Sequence, residues 1–147
     1  MVYIVVFNLI QLLASLYAFL RGGAPERLAG GLLLIAALLT RIFFLGSVSP
    51  YFGIEIGILA VDVVLLVALV MLALYADRFW PIWLAALQAL GAGAHIAKAI
   101  DPTVVSMAYA ILLSVWSYPM VLILAAATLR HQRRIAVAGS DLDWSVR

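Results

Sequence analysis

Long apolar runs separated by short polar clusters set the rhythm of this chain. The first run covers residues 2–20 and stops at Arg21, after which Gly22, Gly23 and Pro25 break any helix. The second covers about 28–46 and gives way to a segment containing Pro50, Tyr51 and Phe52. The third covers about 54–76 and ends at Asp77 and Arg78. A fourth, about 81–100, opens on Pro81, where a missing N–H does no harm at a helix start, and closes at Asp101 and Pro102. The fifth, about 104–129, is stopped by the basic cluster Arg130, His131, Gln132, Arg133 and Arg134. Each run is close to the roughly 20 helical residues that cross a hydrocarbon layer about 30 Å thick. The pattern therefore predicts an all-α polytopic membrane protein, a bundle of five transmembrane helices in one domain over 1–129, with a short tail over 130–147. The first run reads as a retained helix, since Met1-Val2-Tyr3 lacks the positive charge that opens a cleaved leader. An odd number of spans excludes two equal inverted halves.

Polar positions inside the runs define faces. Asn8, Gln11 and Ser15 stand at i, i+3 and i+7, on one side of the first helix, and should look into the bundle because bare polar groups are costly against lipid. On the fourth helix Ala85, Ala89, Gly93 and Ala97 recur every fourth residue, a small-residue stripe suited to close helix packing. Gln88, Gly91, His95 and Lys98 occupy a different stripe, toward which polar partners should turn. Pro119, after Trp116, removes a backbone hydrogen bond inside the fifth helix and should kink it. Trp80 and Trp83 around Pro81 read as interfacial anchors, as do Arg130, Arg133 and Arg134.

Composition sharpens the class. The chain of 147 residues is 67% hydrophobic and 11% charged, far from the roughly half apolar and quarter charged make-up of soluble domains, so the bilayer is its first partner. The absence of cysteine removes disulfides, thiolate metal sites and thiol nucleophiles. A net charge of +2 without a basic face gives nucleic acid nothing to follow. Placement of the positive residues matters more than their sum. With the N-terminus outside, Arg21, Arg27, Arg78, Arg130, Arg133, Arg134 and Arg147 all fall on the cytoplasmic side, leaving only Arg41 and Lys98 opposite. The expected home is the bacterial inner membrane, with the C-terminus cytoplasmic.

The same orientation gathers the remaining ionisable groups in the outer half. Arg41 lies near the end of the second span, Glu55 and Asp62 in the first half of the third, and His95, Lys98 and Asp101 close the fourth. Asn8 and Gln11 reach a comparable depth on the first helix. Asp62 is the sharpest signal, because a carboxylate about seven residues inside a span cannot reach the surface and must be protonated, paired or hydrated. A polar pocket open to the outer face, with Asp62 at its floor and His95 on its wall, is the functional expectation; these two groups can relay protons. The plainer reading has Arg41 snorkelling to the interface and Lys98 pairing locally with Asp101, with Asp62 fixing helix register.

Catalytic signatures are absent: there is no nucleophile elbow, no His-Glu-x-x-His and no phosphate-binding glycine loop, and no cofactor or metal is expected. The segments AYAILLSVWSYPMVLILAAATLRHQRR (108–134) and ADRFWPIW (76–83) resemble small bacterial inner-membrane proteins of unassigned function. Length and span count are similar to those of the tryptophan-rich sensory protein family, whose Pro- and Trp-rich ligand motif is not matched by Trp116-Ser117-Tyr118-Pro119. Two functions follow as expectations. The first is an accessory or assembly subunit docked on a larger membrane protein; the second is an oligomeric transporter or channel component using Asp62 and His95 for proton or cation coupling.

Overall fold

The computed structural model of the chain describes residues 2–46, 56–101, 103, 105–141 and 144. Its described residues form helices α1 (Val2–Arg21), α2 (Ala24–Gly46), α3 (Ile56–Tyr75), α4 (Trp80–Ile100), α5 (Ser106–Ser114) and α6 (Ser117–Ala138). The break between α5 and α6 has a local cause. Pro119 has no N–H to offer the carbonyl of Val115, and its ring crowds that carbonyl, so helical order lapses at Val115 and Trp116, one turn earlier. The amide of Met120 resumes the ladder at a long 3.4 Å from the Trp116 carbonyl. The two segments act as one bent rod, so the described helices make five rods.

Short connections force neighbouring rods to run antiparallel. Only Gly22 and Gly23 separate α1 from α2, and the Gly22 amide still bonds the Ala18 carbonyl at 2.8 Å. A Cβ on Gly22 would stand 2.5 Å from that carbonyl oxygen and 2.6 Å from the Glu26 Cβ. Because one obstacle is backbone, the turn itself would have to move. Gly22→Ala is expected to cost about 1–3 kcal/mol, seen as a lower melting temperature in detergent while Gly23→Ala serves as comparison.

The rods close into a ring: α1 packs on α2, α2 on α3, α3 on α4, α4 on both α5 and α6, and α6 back on α1, with α2 also touching α6. Burial follows the helical repeat. On α3 the inward row is Ile58, Val61, Leu65, Leu69 and Leu72; on α4 it includes Pro81, Leu84, Gln88, Gly91, His95 and Lys98. The main apolar core lies in the half of the bundle where α1 ends and α4 begins, around Ala18, Leu69, Leu72, Leu84, Met120 and Leu124. We call that end the lower end, and the end where α4 terminates the upper end. Gly30 lets α1 and α2 cross closely, since a Cβ there would already touch Ala18 and Ser15.

The outer surface is the inverse of a soluble protein's. Ile35, Leu38, Val64, Leu74 and Leu122 are each more than half exposed, on three different rods. Such an apolar exterior is stable only in an apolar solvent. Among the described residues, Ala24–Gly46, Ile56–Tyr75 and Met107–Ala138 are long and apolar enough to cross a membrane, and Val5–Arg21 is a shorter apolar helix. The chain thus has the all-α build of a small membrane protein.

Three features depart from the sequence pattern. The small-residue stripe of α4 is not what packs the rod inside this chain: Ala85 is buried, but Ala89 and Ala97 are exposed and a Cβ on Gly93 would meet nothing within 4 Å. The polar stripe takes the interior instead, because its groups find hydrogen-bond partners there. The last helix continues to Ala138, carrying Arg130, Arg133 and Arg134 on its exposed sides, and ends where Gly139 adopts a left-handed φ of 73°. Finally, α2 starts before the apolar run does, which draws Glu26 into a fully buried position.

Candidate functional site

The α3–α4 contact places one carboxylate where two donors reach it. Gln88 and His95 are seven residues apart, two turns along the inward face of α4. Gln88 Nε2 donates to Asp62 Oδ1 at 3.0 Å, and His95 Nε2 lies 3.0 Å from Asp62 Oδ2. The other imidazole nitrogen, Nδ1, is 2.6 Å from the hydroxyl of Tyr109 on α5. His95 and Tyr109 are almost entirely buried, at 1% and 0% exposure, and their rings meet edge to face at 5.6 Å.

One arrangement of protons satisfies both nitrogens of the imidazole. An ionised Asp62 can only accept, so Nε2 of His95 carries a hydrogen; the free Nδ1 then accepts the Tyr109 hydroxyl proton. In that arrangement a neutral imidazole bridges a carboxylate and a phenol. Lys98, one turn beyond His95, is itself buried and holds its ammonium 5.9 Å from the centre of the Tyr109 ring. The order Asp62, His95, Tyr109, Lys98 leads from the interior of α3 toward the upper end of α4.

Asp62 also borders a cavity of about 490 Å³, with walls drawn from all six helical segments and the residues between α5 and α6. The Pro119 bend borders the space: α5 packs on α4 among the described residues, while α6 below it returns to α1, α2 and α4. Phe7 and Tyr118 bring α1 and α6 together at a ring distance of 4.7 Å on the cavity wall. The wall is mainly apolar, including Leu33, Phe44, Ile58, Leu65, Leu113 and Val121. Polar side chains interrupt it, among them Asn8, Gln11, Thr40, Arg41, Gln88 and Ser117, and Asp62 is the only carboxylate on the wall, its side chain 20% exposed.

Other residues singled out by sequence divide into two groups. Asn8, Gln11 and Arg41 line the same cavity as Asp62. Gln11 is buried and donates to the Leu33 carbonyl at 2.8 Å, tying α1 to α2. Arg41 is exposed, its guanidinium 5.8 Å from the centre of the Phe44 ring. His95, expected on the pocket wall, stands behind Asp62 instead, as does Lys98, and Asp101 turns away to accept hydrogen bonds from the hydroxyl and amide of Thr103. Those bonds, hydroxyl first, hold the exposed Asp101 carboxyl below its ordinary range, with Lys98 adding to the effect. The contribution of that cap is full above about pH 4 and fades only as acid titrates the lowered group. Glu55 lies outside the described residues.

Sequence reasoning missed Tyr109 and Trp116. Trp116 borders the cavity, and its buried indole N–H has no hydrogen-bond partner among the described residues. A signal for Tyr109 existed in the turn: α4 ends at Ile100 and α5 returns from Ser106, which brings Tyr109 back to the level of His95. The lower end holds a second ionic cluster. Arg78 contacts Glu26 at 3.9 Å and Asp141 at 2.7 Å, and Asp141 also receives His131 at 2.6 Å and Arg134 at 3.0 Å. Trp80, Trp83, Arg130 and Arg134 border a smaller cavity of about 330 Å³ beside it, while Arg133 is exposed. Among the described residues no group of three His, Cys, Asp or Glu side chains is placed to hold a metal ion. Comparison with protein-family models, curated proteins and solved structures finds no match to this chain.

Proposed function

We propose that this chain is a five-span protein of the bacterial inner membrane, N-terminus outside and C-terminus cytoplasmic, that binds a small molecule in its upper cavity and couples that binding to proton movement. The observation that carries this reading is the unbroken hydrogen-bond chain from Asp62 on the cavity wall through buried His95 to Tyr109. An imidazole held at both nitrogens can take a proton on one and release it from the other, and an intramembrane carboxylate is an expensive group unless it is used. The bundle is a transporter or channel component in this reading. Five short rods enclose too little volume for a complete path, so the working unit is an oligomer.

The accessory-subunit reading retains one supporting observation. Ala89, Gly93 and Ala97 present a small-residue face of α4 that the described residues leave uncovered, and another membrane helix can approach such a face closely.

Purified protein in liposomes with a trapped pH-sensitive dye tests the proton step. An imposed pH gradient should collapse faster than in empty liposomes, and His95→Gln, which keeps hydrogen-bonding capacity but cannot accept a proton, should return the rate to that of empty liposomes. Equal rates for wild type and His95→Gln would remove the coupling.

A further inference from the structure

The upper cavity also identifies the class of molecule it takes. We infer that its ligand is a lipophilic ammonium: an apolar body of drug-like size or smaller carrying one protonated amine that pairs with Asp62. This deepens the cavity reading above and is independent of its proton step.

Size comes first. A volume of about 490 Å³ falls within the roughly 300–1,000 Å³ of small-molecule sites. The larger, apolar part of the wall, with Leu33, Ile58, Leu65 and Val121, suits a hydrocarbon or aromatic body, while Asn8, Gln11, Thr40 and Ser117 leave room for a few polar contacts. The polar contact is then decided by Asp62. Each of its oxygens receives one protein donor, Gln88 on Oδ1 and His95 on Oδ2, and a carboxylate oxygen has room for a second. With a neutral His95, the pair retains one negative charge in an apolar surrounding. An ammonium offers what is missing, positive charge and N–H donors together, in a setting where such a contact is strong.

Arg41 is the competing consideration, since it lines the same cavity and would favour an anion. Its guanidinium is exposed and sits over the Phe44 ring, so solvent or headgroups screen it, whereas Asp62 is largely enclosed. The more enclosed charge dominates selection.

Three probes of one shape separate charge from shape: 1-aminoadamantane, 1-adamantanol and adamantane-1-carboxylate. Binding of each to the detergent-purified full chain is measured by titration calorimetry at one fixed pH with no proton gradient, and by the emission of Trp116 with Trp116→Phe as control. The amine should bind saturably, and the alcohol and carboxylate should bind at least about tenfold more weakly. Asp62→Asn, which keeps the volume and an acceptor for His95, should weaken the amine by about ten- to a hundredfold. Asp62→Glu should retain part of the affinity, and Arg41→Gln, which removes a positive charge from the same wall, should not weaken it. A carboxylate that binds best and is lost in Arg41→Gln overturns the assignment in favour of an anion. Equal binding of the amine and the alcohol overturns it in favour of an apolar site, and so does failure of all three. Because these measurements involve no proton flux, a protein that binds the amine yet moves no protons would defeat the coupling proposal and leave this one standing.

Discussion

Arg78→Met is expected to destabilise the folded chain by about 3–5 kcal/mol, the typical cost of stripping one partner from a buried ion pair. Glu26 is fully buried at the start of α2, and neither of its carboxylate oxygens has a hydrogen bond among the described residues. Its compensation is the Arg78 guanidinium, whose side chain is only 5% exposed. The same guanidinium carries Asp141, so its removal loosens two carboxylates at once, although Asp141 keeps His131 and Arg134. The double variant Arg78→Met with Glu26→Leu should recover most of the loss, because two apolar side chains replace a charge pair without leaving an orphan. Reversible unfolding in mixed detergent micelles measures both. A single-variant loss below about 1 kcal/mol would mean that the pair behaves as a solvated surface bridge.

That cluster marks the limit of what the sequence discloses. The five apolar runs carry their own period and length, and every one of them becomes a rod, because an amphipathic or wholly apolar run of this length has few other stable forms. Pro119 announces the bend between α5 and α6, whose neighbouring residues line the cavity. The inward turn of Gln88, His95 and Lys98 is also legible, since three polar groups on one stripe of an apolar helix must seek partners together. Glu26 was not legible. It follows Pro25 in a stretch with every mark of a loop, and only the return of α3 and α4 brings Arg78 beside it. The small-residue stripe of α4 misled for a related reason: spacing shows which residues share a face, but which face turns inward is settled by competing partners. Here the hydrogen bonds of Gln88 and His95 to Asp62 decide the rotation, leaving Ala89 and Ala97 outside.

The second large effect is expected at Asp62 itself, where Asp62→Asn should reduce proton movement to the level of empty liposomes while the melting temperature changes little. Asparagine keeps one carbonyl acceptor, enough for either Gln88 or His95, but gives up the charge and the ability to take a proton. Asp62→Leu is different in kind. It removes the acceptor altogether and strands the Nε2 hydrogen of a nearly fully buried His95, at a cost of about 1–3 kcal/mol for that group alone. Tyr109→Phe should fall between wild type and Asp62→Asn in proton movement, since it deletes the hydroxyl bonded to Nδ1 but leaves the Asp62 to His95 contact intact. The ordering matters more than any one value. If Asp62 serves only to hold α3 against α4, the three variants rank by lost hydrogen bonds, and Asp62→Leu alone stands apart in both melting and flux. If the carboxylate exchanges protons with His95, Asp62→Asn and Asp62→Leu share the same loss of flux despite different stabilities. That dissociation of flux from stability is the signature of a relay, because a hydrogen bond can be replaced by another hydrogen bond but a titrating group cannot.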